Sequence, residues 1–205
     1  MRWLVLCAAA FTGGAAGAET GDPLIAAARA SYDTMPNVQL VAQIAGNCGA
    51  NADVNDDVAY CTSNNTIYLT RDAAGKPYGF YLIAHGLGHA VQVQHGMADF
   101  ALSQVRSRPQ DEAALRGMVE RQVDCLAGFL MARAGMQQGS PAQWFDADPF
   151  ADAHWGRNPL SVGPVISIDL AARDEWFNVG QRASTPAACA VGELPVAPLM
   201  DDYKG

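Results

Sequence analysis

Two histidines four residues apart, His85 and His89, constrain this chain more than any other feature of its sequence. They lie in a stretch, residues 78–95, whose apolar residues recur at the spacing of an α-helix. Residues at i and i+4 share one helix face, so both imidazoles can reach one metal ion. The pair alone also fits two surface histidines that bind nothing.

A second long helix is predicted for residues 111–134, and it carries Glu120 and Asp124. Like charges at i and i+4 repel by a few tenths of a kcal/mol, so a compensating cation is expected. Arg116 and Arg121 offer one solution, a solvated face of ion pairs. A divalent cation bound by Glu120 offers another, with Asp124 orienting a ligating histidine through its ring N–H.

The other segments predict an α+β fold, in which a small N-terminal β-sheet precedes a helical core that contains the metal-site helix. Turn residues at 63–65 between two β-rich runs indicate a hairpin. The stretch at 135–165 contains several Gly, Pro and aromatic residues and is expected to be an ordered surface loop. Helices are predicted at 22–34 and 166–180, and strands at 38–44, 58–61 and 66–70.

The N-terminus has the pattern of a signal peptide, residues 1–18. A short basic start precedes an apolar run at 4–11, and small residues precede the expected cleavage after Ala18. A buried N-terminal helix is the alternative. We therefore expect a secreted or periplasmic protein with one domain, residues 19–205, and no membrane span after cleavage.

Charge and cysteine content narrow the possible functions. Acidic residues outnumber basic ones by 21 to 13, which argues against a nucleic-acid or anionic-membrane partner. Four cysteines remain after cleavage, which suggests two disulfides with three possible pairings. No CxxC pair is present, so a cysteine-ligated zinc is not expected.

Two further histidines were weighed as metal ligands. A continuous helix would place His95 about 9 Å along the axis from His89, too far to share an ion. We interpret His95 as a cation at the helix C-terminus, before Gly96. His154 lies in the aromatic loop, where it either reaches the metal as part of a lid or packs on the surface, and the aromatic neighbours favour packing.

Several motifs together resemble the family of bacterial neutral zinc metallopeptidases, in the gluzincin-like group. That family carries CG, FYC, IYLD, HExGHHxQ, ExQADCxAG and RxxWFxxG followed by C. The corresponding residues here are Cys48-Gly49, Tyr60-Cys61, Ile67-Tyr68-Leu69, residues 85–92, residues 120–128, Arg173 with Trp176-Phe177 and Gly180, and Cys189.

The resemblance implies a zincin-like fold and a Zn²⁺ ion held by His85, His89 and Glu120, with Asp124 in support. It also implies two disulfides, Cys48–Cys61 and Cys125–Cys189.

One departure from the family pattern concerns catalysis. The catalytic glutamate of the family follows the first histidine, and this chain has Gly86 there. That carboxylate takes a proton from the attacking water and passes it to the leaving amine, which glycine cannot do. Ala90 replaces a further histidine of the family pattern.

Three hypotheses follow. The first is a pseudopeptidase that binds zinc, can take a peptide or protein ligand, and has impaired or lost hydrolysis. The second is an active zinc metallopeptidase whose general base is a substitute or is supplied by the substrate. The third is a structural domain with a vestigial metal site.

Overall fold

The computed structural model describes residues 22–137, 139–161 and 167–205. The predicted signal peptide lies outside these residues. Eight α-helices and four β-strands are found in the described part of the chain. The helices are α1 (Asp22–Ser31), α2 (Arg71–Ala74), α3 (Gly79–Gln94), α4 (Met97–Ser107), α5 (Glu112–Arg133), α6 (Pro141–Trp144), α7 (Leu170–Arg182) and α8 (Ala197–Asp201).

The predicted α+β class is confirmed, with a small sheet followed by a helical core. The two long helices, α3 and α5, lie within two residues of their predicted bounds. Helix α4 was not predicted. The last predicted helix begins at Leu170 rather than at residue 166, and Asp169 caps it by accepting a hydrogen bond from the Ala172 N–H.

The sheet consists of β1 (Asn37–Val41), β2 (Val58–Cys61), β3 (Thr66–Thr70) and β4 (Trp155–Gly156) in the order β1-β3-β2-β4. Strands β2 and β3 form the predicted antiparallel hairpin, and β1 pairs with β3 in parallel. The short strand β4 comes from the predicted loop and pairs in parallel with β2.

Both faces of the central hairpin are buried, because side chains alternate between two clusters. Val58, Tyr60, Ile67 and Leu69 face the main core, together with apolar residues of α3 and α5. Residues on the opposite face, such as Tyr68, belong to a smaller cluster. The hairpin therefore lies between the helical core and the loops that precede and follow it in sequence.

The helices α3 and α5 approach closely at Gly88. A Cβ atom there would lie 2.8 Å from the backbone carbonyl oxygen of Val123. A side chain would push the helices apart, so glycine allows the residues after Val119 on α5 to face the histidines of α3.

Two disulfides connect the chain, Cys48–Cys61 and Cys125–Cys189. These are the pairs that the family resemblance implies. The first joins the loop before the hairpin to β2, and the second ties α5 to the C-terminal segment. None of the described helices combines the length and apolar character needed to cross a bilayer.

The disulfides differ in the length of chain that they close, 13 residues for Cys48–Cys61 and 64 for Cys125–Cys189. Loop-closure entropy predicts losses in unfolding free energy of about 3 and about 4 kcal/mol, respectively, when each pair is replaced by alanine. Chemical denaturation of the two double variants checks this order. A larger loss from Cys48→Ala/Cys61→Ala would contradict it.

Candidate metal centre

Four side chains converge between α3, α5 and the segment that contains β4: His85, His89, Glu120 and His154. All four are buried, and one donor atom of each lies within 4.8 Å of the others. His154 Nε2 lies 3.1 Å from His85 Nε2 and 3.0 Å from His89 Nε2. The Glu120 carboxylate oxygens lie 3.5 Å from His85 Nε2, 3.6 Å from His89 Nε2 and 3.7 Å from His154 Nε2.

These spacings fit one tetrahedral ion. Four ligand atoms about 2.0–2.1 Å from a central zinc lie about 3.3–3.4 Å from one another. The observed distances, 3.0 to 3.7 Å, scatter around that value. Imidazole nitrogen and carboxylate oxygen are both ordinary zinc ligands. The residues present therefore fit the ion.

Hydrogen bonds orient two of the imidazoles. His85 Nδ1 lies 3.0 Å from Asp124 Oδ1, and His154 Nδ1 lies 2.8 Å from the backbone carbonyl oxygen of Asp152. Both acceptors require a proton on Nδ1, which leaves the Nε2 lone pair of each neutral ring directed into the cluster. Converging lone pairs repel unless a cation lies between them. A proton on His85 would satisfy one contact, whereas a divalent ion would satisfy all four.

Aromatic rings from the segment around β4 hold the histidines in place. Phe150 stacks on His85 with ring centroids 3.5 Å apart, and Trp155 stacks on His89 at 4.7 Å. The Arg173 guanidinium lies 5.0 Å from the centre of the Phe150 ring. The aromatic loop predicted from sequence thus packs, but it packs on the metal-site histidines.

Arg173 of α7 is the cation that faces the carboxylates of α5. Its Nη1 donates to Asp124 Oδ2 at 2.9 Å and to Glu120 Oε2 at 3.2 Å, and its Nε donates to Asp148. All four side chains are at most 7% exposed. Three carboxylates against one guanidinium leave two negative charges buried, which is costly without a counter-ion. One divalent cation would neutralise them.

The protonation of three of the four donors suits metal binding, whereas burial of His85 is outweighed by Asp124 and Glu120, which raise the pKa of that ring. Burial keeps the pKa of His89 well below its ordinary value, and burial lowers the pKa of His154 to about 4. Burial acts to raise the pKa of Glu120, but His154, the other histidines and Arg173 outweigh it and hold the pKa well below its ordinary value. Two neutral imidazoles and an ionised carboxylate are ready to bind a cation without losing a proton.

The structure brings together the predicted ligands His85, His89 and Glu120, with Asp124 beside His85. His95 lies outside the cluster, as expected, with Nδ1 2.7 Å from Asp202 Oδ2. The interpretation of His154 as a packed surface histidine is wrong, because it is buried and its Nε2 lies within the cluster.

The alternative of a solvated ion-pair face formed by Arg116 and Arg121 is not found on α5. Arg116 pairs with Glu112, and Arg121 donates to the Gly117 carbonyl oxygen, so neither faces the carboxylates of the cluster. The compensating arginine is Arg173, 49 residues beyond Asp124. Its position three residues before Trp176-Phe177 was the one sequence signal that could have identified it.

Gly86 lies on α3 directly after His85, and its position is enclosed. A Cβ atom there would lie 3.0 to 3.4 Å from three side-chain atoms of Ile67 on β3, tighter than ordinary van der Waals contact. Ile67 itself is completely buried. The space beside the helix at this point is therefore largely filled by the isoleucine.

A family model described as "Putative neutral zinc metallopeptidase" matches residues 18–153 of the chain. The chain belongs to this family. The matched region contains His85, His89, Glu120 and Asp124, and it ends one residue before His154. Neither the curated proteins nor the solved structures contain a match to the chain.

We expect Arg173→Met to lower the free energy of unfolding of the metal-free protein by about 3–5 kcal/mol, because it leaves buried carboxylates without their partner. Arg116→Met is the matched control, since its partly exposed pair with Glu112 should contribute about 1 kcal/mol or less. Denaturation with urea measures both variants. Equal losses would contradict the assignment of Arg173 as the buried counter-charge.

Proposed function

We propose that this protein is a zinc-binding pseudopeptidase, a member of a zinc-metallopeptidase family that holds its metal and has lost efficient peptide hydrolysis. The observation that carries the proposal is the combination of a complete donor set with glycine at position 86. Bound zinc would supply Lewis-acid polarisation, and hydrolysis would still need a group that moves a proton.

The surroundings of Gly86 bear on the loss of that group. Because Ile67 lies against the glycine and is completely buried, a side chain at position 86 would require Ile67 to shift by a few tenths of an ångström. The family pattern has the same isoleucine together with a glutamate, so the loss of the general base rests on the residue at position 86 itself.

The other carboxylates around the cluster have different partners. Asp124 accepts hydrogen bonds from Tyr81 and Arg173 and contacts His85, and Asp148 accepts from Arg173 and Ser167. A carboxylate that is hydrogen-bonded to a guanidinium is a weak base. Burial of Asp148 acts to raise its pKa, but Arg173 outweighs this effect and lowers the pKa. Asp152 is exposed on the segment that contains His154, and it is the side chain to test as a substitute base.

Export fits this proposal. The predicted signal peptide would direct the chain to a secreted or periplasmic location, where disulfides such as Cys48–Cys61 and Cys125–Cys189 form and persist. The mature protein would then be one domain, residues 19–205. A peptide or protein ligand would approach through the cavity beside His154.

The mature protein should retain about one zinc ion per chain after dialysis, because four donor atoms and two uncompensated charges favour it. Elemental analysis by mass spectrometry measures the stoichiometry. His89→Ala should abolish retention, and Asp124→Ala should weaken zinc affinity roughly 10–100-fold by freeing the His85 ring. His95→Ala is the control, since His95 contacts Asp202 outside the cluster and should leave zinc content unchanged. Absence of stoichiometric zinc in the wild type would favour a vestigial site.

The zinc-loaded wild type should cleave peptides no faster than the same protein after chelation, because one positioned acid–base group typically contributes about 10²–10⁴-fold. An unbiased peptide library analysed by mass spectrometry provides the assay. Robust chelator-sensitive cleavage would overturn the proposal. In that event Asp152→Asn would distinguish two sources of the general base. Loss of cleavage would indicate a base supplied by this chain, and unchanged cleavage would indicate one supplied by the substrate.

A further inference from the structure

We infer that the segment 153–156 permanently closes the metal site in two ways. His154 is the fourth protein ligand of the ion, and β4 occupies the sheet edge with which a peptide could otherwise pair. This inference rests on the proposed zinc binding and adds how the site is closed. Catalytic zinc sites keep one position open for solvent or substrate, whereas structural sites have four protein ligands.

The position of His154 supports a closed site. Its Nε2 is nearly equidistant from the Nε2 atoms of His85 and His89, at 3.1 and 3.0 Å, and lies 3.7 Å from Glu120 Oε2. It thus lies at a distance from each of the other three donors that suits two ligands of one ion. Its Nδ1 bonds to the carbonyl oxygen of Asp152, which fixes the ring with Nε2 directed inward.

The backbone of the same segment occupies an edge of the sheet. The N–H groups of Asn55, Tyr60 and Thr62 donate to the carbonyl oxygens of Ala153, His154 and Gly156 at 2.8 to 2.9 Å. Extended peptides bind many proteins by adding a strand to a free sheet edge in this way. Here the chain adds its own strand to β2, so those donors are already used.

Contacts on both sides of β4 hold the segment in place. The Asn55 side chain donates to the Pro149 carbonyl oxygen before His154. After it, the Asn158 N–H donates to Ser63 Oγ and the Leu160 N–H donates to the Cys48 carbonyl oxygen. These anchors lie on the loop and hairpin that the Cys48–Cys61 disulfide joins, which is typical of a fixed element rather than of a lid that opens.

A cavity of about 680 Å³ lies on the other side of the segment. Glu120, His154 and Trp155 line it, together with apolar residues of α4, whereas His85 and His89 are not among its lining residues. Of the four candidate ligands, His154 and Glu120 therefore face the cavity and the other two histidines do not. A ligand in the cavity would meet the His154 ring and the Glu120 carboxylate first.

Closure adds a second barrier to hydrolysis beside the missing glutamate. Restoring activity would require an open coordination position and a general base together. We expect Gly86→Glu with Ile67→Val to remain inactive, and the same pair of substitutions combined with His154→Ala to show the first chelator-sensitive cleavage. Cleavage by the double variant with His154 intact would contradict closure by this histidine.

Cobalt in place of zinc tests the coordination directly, because its visible absorption reports ligand number and the binding of added azide. The wild type should give a four-coordinate spectrum that azide does not alter. His154→Ala should still bind cobalt, and its spectrum should change when azide is added. Its affinity for zinc should fall roughly 100-fold or more, because a direct ligand is lost rather than a supporting residue. His95→Ala should behave as the wild type does.

Three outcomes are distinguishable. A wild-type spectrum that responds to azide as strongly as that of His154→Ala would overturn the inference and leave zinc binding intact. Failure of the wild type to bind cobalt or zinc would overturn the proposed function and the inference with it. If His154→Ala does not fold, X-ray absorption of the zinc-loaded wild type decides, since closure predicts three imidazoles and an open site predicts two.

Discussion

The neutralisation of buried charge is the constraint on which the rest of this structure depends. Glu120, Asp124 and Asp148 are almost completely buried with Arg173 as the guanidinium among them, which leaves two negative charges to be compensated. The three imidazoles beside Glu120 direct nitrogen atoms to the same point. A single divalent ion would neutralise the charge and hold α3, α5 and β4 together, while Arg173 connects α7 to the same cluster.

The sequence predicted the parts of this arrangement that follow local rules. Helical spacing placed His85 and His89 on one face, and the i, i+4 carboxylates on the second helix indicated a cation nearby. The disulfide pairs came from the family resemblance, because four cysteines alone allow three pairings. Helix α4 was missed, although its apolar and polar residues separate onto two faces more clearly than those of α3.

The roles of His154 and Arg173 depend on tertiary contacts, and only Arg173 had a sequence signal, its place in the family motif before Trp176-Phe177. His154 lies 69 residues after His85, in a loop without periodicity, and reaches the metal site only because its backbone pairs with β2. The aromatic neighbours of His154 do pack, as predicted, but Phe150 and Trp155 pack on the candidate ligands His85 and His89. The local sequence pattern predicts helices and strands, but it does not predict which distant segments of the chain come into contact.

A crystal of the zinc-loaded mature protein, measured on both sides of the zinc absorption edge, tests the central claim most directly. The account predicts one anomalous peak about 2.0–2.2 Å from the Nε2 atoms of His85, His89 and His154 and from a Glu120 oxygen, with no solvent ligand. A peak bound by His85, His89, Glu120 and a solvent molecule, with His154 turned away, would contradict a closed site. The absence of any peak within the cluster would contradict zinc binding itself.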